Sequence, residues 1–260
     1  MFLDCHFFSD ALGKNCAFYA IVPQRVQNQI GIGSTGGKTR YPVLYLLHGL
    51  SDDHTIWLRR TSIERYAAEK QVIIIMPNGD RSFYCDMCHG GRYWTFLSEE
   101  LPAIVNATLP ASPDRADTFA AGLSMGGYGA LKLALRRPDL FAAAGAMSAV
   151  TDIGDFLQRM KDAGNEKEAL GFFGGWEVPE NDDLFRLATA MTARPAAERP
   201  RIFHACGTED FLYTTNTAFR DHMQKLGVCD YTYVESPGSH TWAFWDHYIQ
   251  EILNWLPLSK

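Results

Sequence analysis

Tyr41-Pro42-Val43-Leu44-Tyr45-Leu46-Leu47 offers water no polar face. A strand of this kind is covered on both sides, as in a parallel sheet held between two layers of helices. Short apolar stretches at 16–22, 72–76, 118–121, 141–147, 201–206 and 231–234 read as further strands. Between them, 61–70, 96–107, 127–135, 152–162, 182–192, 216–226 and 242–256 read as helices. In the first of these, Ile63, Tyr66 and Ala67 share one side at helical spacing. No repeat, low-complexity tract or linker interrupts the alternation. The expectation is an α/β fold with a mostly parallel central sheet flanked by helices. One domain spans 1–260, with a small cap or flank within 152–192. The polar, glycine-rich stretch 27–38 reads as a hairpin tip or loop. It misses the phosphate-loop spacing, because Ile32 stands where the first glycine of that pattern belongs.

Composition limits the partners. With 47% hydrophobic residues in 260, a sizeable core can form. A net charge of −6 and the lack of any Lys or Arg run argue against a nucleic-acid or anionic-membrane surface. Residues 1–10 have neither a basic start nor a continuous apolar core, so no secretory signal is read there. No apolar stretch approaches the length of a bilayer span, and the chain is expected in the cytoplasm. Cys85-Asp86-Met87-Cys88-His89 matches a haem-attachment pattern, which requires export, and no second cysteine pair is near for zinc. The cysteines are read as reduced loop residues, with no metal site.

Chemistry concentrates at Gly122-Leu123-Ser124-Met125-Gly126, a G-x-S-x-G pentapeptide. A strand-like stretch leads into it and a helix-like one leaves it, the context of a nucleophile elbow. Small residues at 122 and 126 let the two backbones close up. The helix N-terminus behind the serine favours a developing oxyanion. A serine hydroxyl also needs a base, and the base an orienting acid. Asp210 follows the strand at 201–206 in Gly207-Thr208-Glu209-Asp210, and His240 follows the last strand in Ser236-Pro237-Gly238-Ser239-His240. The order serine, acid, histidine is the one such hydrolases use. Glu209 competes with Asp210 for the acid role and is set second by its place in the turn. His204 is read as core, His222 and His247 as helix residues, and His6, His54 and His89 as surface or rim. His48 is read as shaping the oxyanion loop. The oxyanion donors expected are the amides of Met125 and Leu50. Trp57, Tyr84, Trp94, Trp176 and Trp242, with Trp245 beside them, are expected to wall a short acyl pocket or to stack on a sugar or phenolic ring.

Several motifs now stand in one order: His48-Gly49-Leu50, Met76-Pro77-Asn78-Gly79, Ser82-Phe83-Tyr84, Glu99-Glu100-Leu101-Pro102, the stretch from Gly122 to Ala130, Gly207-Thr208-Glu209-Asp210 and Gly238-Ser239-His240-Thr241-Trp242. In this the chain resembles the esterase D group of α/β-hydrolases, from about residue 16 to 256. That group includes S-formylglutathione hydrolases, tributyrin esterases, and acetyl-xylan and feruloyl esterases similar to the mycolyltransferases. The chain looks most like the small bacterial tributyrin esterases. The resemblance implies the α/β-hydrolase fold, a triad of Ser124, Asp210 and His240, and an oxyanion hole at Leu50 and Met125. It implies no cofactor and a homo-oligomer, a dimer or tetramer. The activity implied is a serine carboxylester hydrolase cleaving short acyl esters, acetyl to butyryl, through an acyl-enzyme. Acetylated or feruloylated saccharides are further substrates the resemblance admits. The alternatives are an acyltransferase using the same triad and a thioesterase of the S-formylglutathione type. Cys85 and Cys88 depart from the latter's site. A binding module that kept only the fold would be expected to have lost one of the triad residues.

Overall fold

The apolar run at Val43 lies in the middle of an eight-stranded sheet in a computed structural model that describes residues 1–24, 26, 30, 37–228 and 230–258. The expected loop at 27–38 lies mostly outside the described residues. The strands are β1 (Phe2–Ser9), β2 (Lys14–Ile21), β3 (Val43–Leu47), β4 (Ile73–Pro77), β5 (Thr118–Leu123), β6 (Ala143–Met147), β7 (Arg201–Gly207) and β8 (Tyr231–Ser236). Their order across the sheet is β1-β2-β4-β3-β5-β6-β7-β8. From β4 to β8 all pairings are parallel, and β5 lies beside β3 in a register running from Val43↔Thr118 to Leu47↔Gly122. The antiparallel hairpin β1–β2 extends the sheet at one edge.

The helices are α1 (Ile56–Arg60), α2 (Ile63–Lys70), α3 (Tyr93–Thr95), α4 (Leu101–Thr108), α5 (Met125–Arg136), α6 (Ile153–Asp162), α7 (Glu166–Phe173), α8 (Leu184–Ala190), α9 (Tyr213–Leu226) and α10 (Trp242–Trp255). A π-turn at Phe96–Glu100 joins α3 to α4. Side chains alternate across a strand, so each central strand feeds two cores. Val43, Tyr45 and Leu47 join Ile73 and Ile75 on one face, under α4, α5, α8 and α9. Leu44 and Leu46 join Ile74 and Met76 on the other, under α1, α2 and α10. Each buried Leu or Ile contributes roughly 1.5–3 kcal/mol relative to exposure.

The structure adds β1, α1, α3 and α7 to the elements read from sequence. β1 is an edge strand whose odd residues Leu3, Cys5 and Phe7 pack inward while Phe2, Asp4, His6 and Phe8 face water. Apolar residues thus stand on both of its faces, which blurs its period of two. Among the described residues no helix is long and apolar enough to cross a membrane.

Candidate active site

β5 ends at Leu123 and α5 begins at Met125, leaving Ser124 alone at the turn with φ 54° and ψ −118°. A non-glycine residue here is strained and persists only because its surroundings fix it. Its amide donates to Met147 O at 2.9 Å, and its carbonyl accepts from Tyr128 N at 3.1 Å and Val150 N at 3.2 Å. The flanking glycines are sterically required. A Cβ at Gly122 would stand 2.3 Å from Gly126 O, and one at Gly126 would stand 2.4 Å from Leu47 O.

Asp210 and His240 come from loops at the carboxyl ends of the adjacent strands β7 and β8. His240 Nδ1 lies 2.9 Å from Asp210 Oδ2 and 3.1 Å from Oδ1. Burial alone would raise the Asp210 pKa, but hydrogen bonds and charge from His240, with the Leu212 amide at 2.9 Å, hold it below its ordinary value. An ionised Asp210 makes Nδ1 the donor and leaves Nε2 as the basic nitrogen. Glu209 takes a different part. Its carboxylate accepts from Gly238 N and from Thr208 Oγ1, while its own amide donates to Gly238 O at 3.0 Å. It clamps the acid loop to the histidine loop.

His48 is buried, with Gly79 N donating to its Nε2 at 2.9 Å. Nδ1 therefore carries the proton and donates to Gly49 O at 2.7 Å. In a trans peptide C=O and N–H point opposite ways, so pinning Gly49 O turns the Leu50 amide the other way. Desolvation lowers the His48 pKa and keeps the ring neutral. Tyr84 holds the same loop from below, its hydroxyl donating to His48 O at 2.9 Å. Lys132, wholly buried on α5, donates in turn to Tyr84 O at 3.0 Å and pairs with Asp182. Neither the Leu50 nor the Met125 amide meets a protein acceptor among the described residues.

Ser124, Met125, Leu50 and His240 line one cavity of about 540 Å³, with Asp210 behind His240. Of the six aromatics expected near the substrate, Trp242 and Trp245 line it and the other four do not. Trp57 is buried beneath, its Nε1 donating to Leu47 O at 3.0 Å and its ring edge-on to Trp242 at 5.2 Å. Tyr84 is buried under the oxyanion loop. Trp94 is packed under Arg136, whose guanidinium lies 3.8 Å from the ring centre. Trp176 lies under Lys161 in a separate groove with Val178 and Glu180. Packing on the two sheet faces, which single-residue chemistry does not reveal, accounts for these corrections.

The cavity's other walls went unread in the sequence. Phe83, Val150 and Phe156 supply apolar surface. Phe211, 57% exposed, faces the His240 ring at 4.6 Å. Asp52 and Arg81 supply charge. Arg81 bridges α7 through Glu168, at 2.5 and 3.1 Å, and donates to Leu50 O at 3.3 Å.

Residues 24–256 match the family model described as putative esterase. An acetyl esterase of Caldicellulosiruptor saccharolyticus is 30% identical over 98% of this chain and 97% of its own length. The diacylglycerol acyltransferase/mycolyltransferase Ag85A of Mycobacterium leprae is 28% identical over 83% of this chain and 74% of its own. Among solved structures, the fluorophosphonate-binding serine hydrolase FphF of Staphylococcus aureus superposes with a TM-score of 0.86 at 32% identity. That match covers 100% of this chain and 99% of FphF.

Proposed function

This chain belongs to the putative esterase family of α/β-hydrolases and is a serine ester hydrolase, and on that premise we propose that Ser124, Asp210 and His240 are its catalytic triad. His240 Nε2 takes the proton of Ser124 Oγ as the oxygen attacks the ester carbonyl. Asp210 holds the imidazole and offsets the charge it gains. The amides of Leu50 and Met125 receive the carbonyl oxygen as it becomes negative. His240 returns the proton to the leaving alcohol, and water, deprotonated by the same nitrogen, releases the acid from Ser124. These steps use only groups of this chain and water. The observation that carries the reading is the shared cavity, where Ser124, His240 and two uncommitted amides converge.

We assign the preferred acyl group to the range acetyl to butyryl. The apolar wall of Phe83, Val150 and Phe156 and the acetyl esterase relative support this. Ser124→Ala should lower turnover of 4-nitrophenyl acetate at least about 10³-fold. Across acetyl to octanoyl 4-nitrophenyl esters, kcat/KM should peak at four carbons or fewer. An optimum at octanoyl would remove the short-acyl assignment.

The mycolyltransferase relative favours a second reading, transfer of the acyl group to a sugar hydroxyl. Product analysis with an added sugar acceptor separates transfer from hydrolysis. The same proposal takes the chain as one domain in which α6 to α8 flank the site, through Phe156 and the Glu168–Arg81 pair. Assembly into a dimer or tetramer rests on the sequence resemblance.

A further inference from the structure

Two aspartates follow the oxyanion loop, and they do different work. Asp53 turns back on its own backbone, accepting from Thr55 N at 2.9 Å and Thr55 Oγ1 at 2.6 Å. Asp52 lines the active-site cavity. A Cβ built on Gly49 would lie 3.2 Å from Asp52 Oδ2 and 3.8 Å from Ser124 Cβ. Asp52 Oδ2 therefore lies within the sum of those distances, about 7 Å, of the nucleophile's Cβ.

Among the described residues Asp52 makes no salt bridge and receives no side-chain hydrogen bond. Its neighbours are the Gly49 amide, the Asp53 carboxylate, and Arg59 and Arg60 acting through space. Arg81, the cation of the same cavity, is already held by both oxygens of Glu168. The polar wall thus carries one carboxylate without a cation of its own. A half-buried carboxylate is stabilised by donors, and here a bound substrate is placed to supply one. An acetyl group is too small to fill a cavity of about 540 Å³, so much of the lining faces the alcohol part of the ester.

Resting on the triad reading above, we propose that Asp52 is a specificity-determining residue, accepting a hydrogen bond from a hydroxyl of the substrate's alcohol part and rejecting alcohols that carry an anion. The substrate class is an ester of a neutral, hydroxylated alcohol. Glutathione thioesters, with free carboxylates on the leaving group, are disfavoured by the same charge.

The test compares matched ester pairs in wild type, Asp52→Ala and Asp52→Asn. The first pair is a monoacetylated methyl xyloside against cyclohexyl acetate, similar rings with and without hydroxyls. The second is 4-acetoxybenzoate against its methyl ester, with and without an anion. Asp52→Ala should lower the xyloside-to-cyclohexyl ratio of kcat/KM by about tenfold. Asp52→Asn keeps an acceptor oxygen but not the charge. It should raise the benzoate-to-methyl-ester ratio by about tenfold and hold the xyloside ratio within about threefold. Both ratios unchanged within about twofold in either variant, in protein that still labels with a fluorophosphonate, would overturn the proposal. If Asp52→Ala does not fold, the anion ratio of Asp52→Asn decides alone. Wild-type protein inert to 4-nitrophenyl acetate and unlabelled at Ser124 marks a different failure, that of the triad reading itself.

Discussion

Glu209 illustrates what one side chain does beside the proposed acid of a triad. Both carboxylates of the Glu209-Asp210 pair belong to the site, one buried against His240, the other exposed and tied to Gly238. The backbones there are already close, since a Cβ at Gly207 would stand 2.1 Å from Gly238 O. Glu209 locks that approach two residues before His240. Its carboxyl is held below the usual range chiefly by the Gly238 hydrogen bond. Glu209→Ala should lower kcat on 4-nitrophenyl acetate by about tenfold, through looser placement of His240. KM and the melting temperature should change little. A melting temperature that collapses along with kcat would reduce Glu209 to a purely structural role.

The element scale belongs to α5, the helix that leaves the elbow. Its sequence is mostly small and apolar up to the terminal Arg136, and Lys132 sits fully buried between Tyr84 O, Cys85 Sγ at 3.2 Å and Asp182. Its ammonium also lies 5.0 Å from the Trp94 ring centre and 5.4 Å from that of Tyr128. Tyr128 fastens the same turn by donating to Asp182 O at 2.7 Å. The helix thereby ties the loop under the oxyanion donors to the segment before α8. Removing one member of a buried ion pair costs about 3–5 kcal/mol, and here Arg136, 3.6 Å from Asp182, keeps that carboxylate partly paired, so the lower end applies. Urea denaturation of Lys132→Met should register a loss of that order, and pairing it with Asp182→Leu should recover part. A single variant within about 0.5 kcal/mol of wild type would show that the pair adds nothing net.

Across the whole molecule, two neutral histidines set the response to acid. Burial pushes His204 down to about 4, against an Asn216 contact at 2.7 Å that acts the other way. His48 is lowered by the same cause. Unfolded chains bind the proton near pH 6.5, so between there and about 4 the unfolded state holds more protons and stability falls with pH. For His204 the loss is on the order of 3 kcal/mol. Asp210, also lowered, adds its loss only in the carboxylate range below that, while Asp52, raised by desolvation, runs opposite there. Urea midpoints should drop steadily from pH 7 to 4.5, and His204→Phe should flatten the slope. Equal midpoints at both ends would contradict the assignment.

That same scale explains what the sequence could and could not reveal. Val43 to Leu47 announced a doubly covered strand because no partner was needed to see that all its side chains are apolar. The elbow was legible because sterics at Gly122 and Gly126 are local to the pentapeptide, and Asp210 and His240 because each directly follows a strand. The cavity walls were not. Trp57 and Trp242 are alike as residues, and which one lines the cavity depends on how α1 and α10 stack against each other. Phe211, Asp52 and Arg81 reach the site from three separate loops, a meeting that no local spacing encodes.

The left-handed backbone at Ser124 has an evolutionary consequence. Glycine would relax it without strain, so at this position fitness for folding and fitness for turnover pull in opposite directions. A lineage selected only for robustness would drift toward an unreactive glycine. A serine there, in a backbone conformation that glycine holds at less cost, sets a reactive hydroxyl against the stability of its own turn.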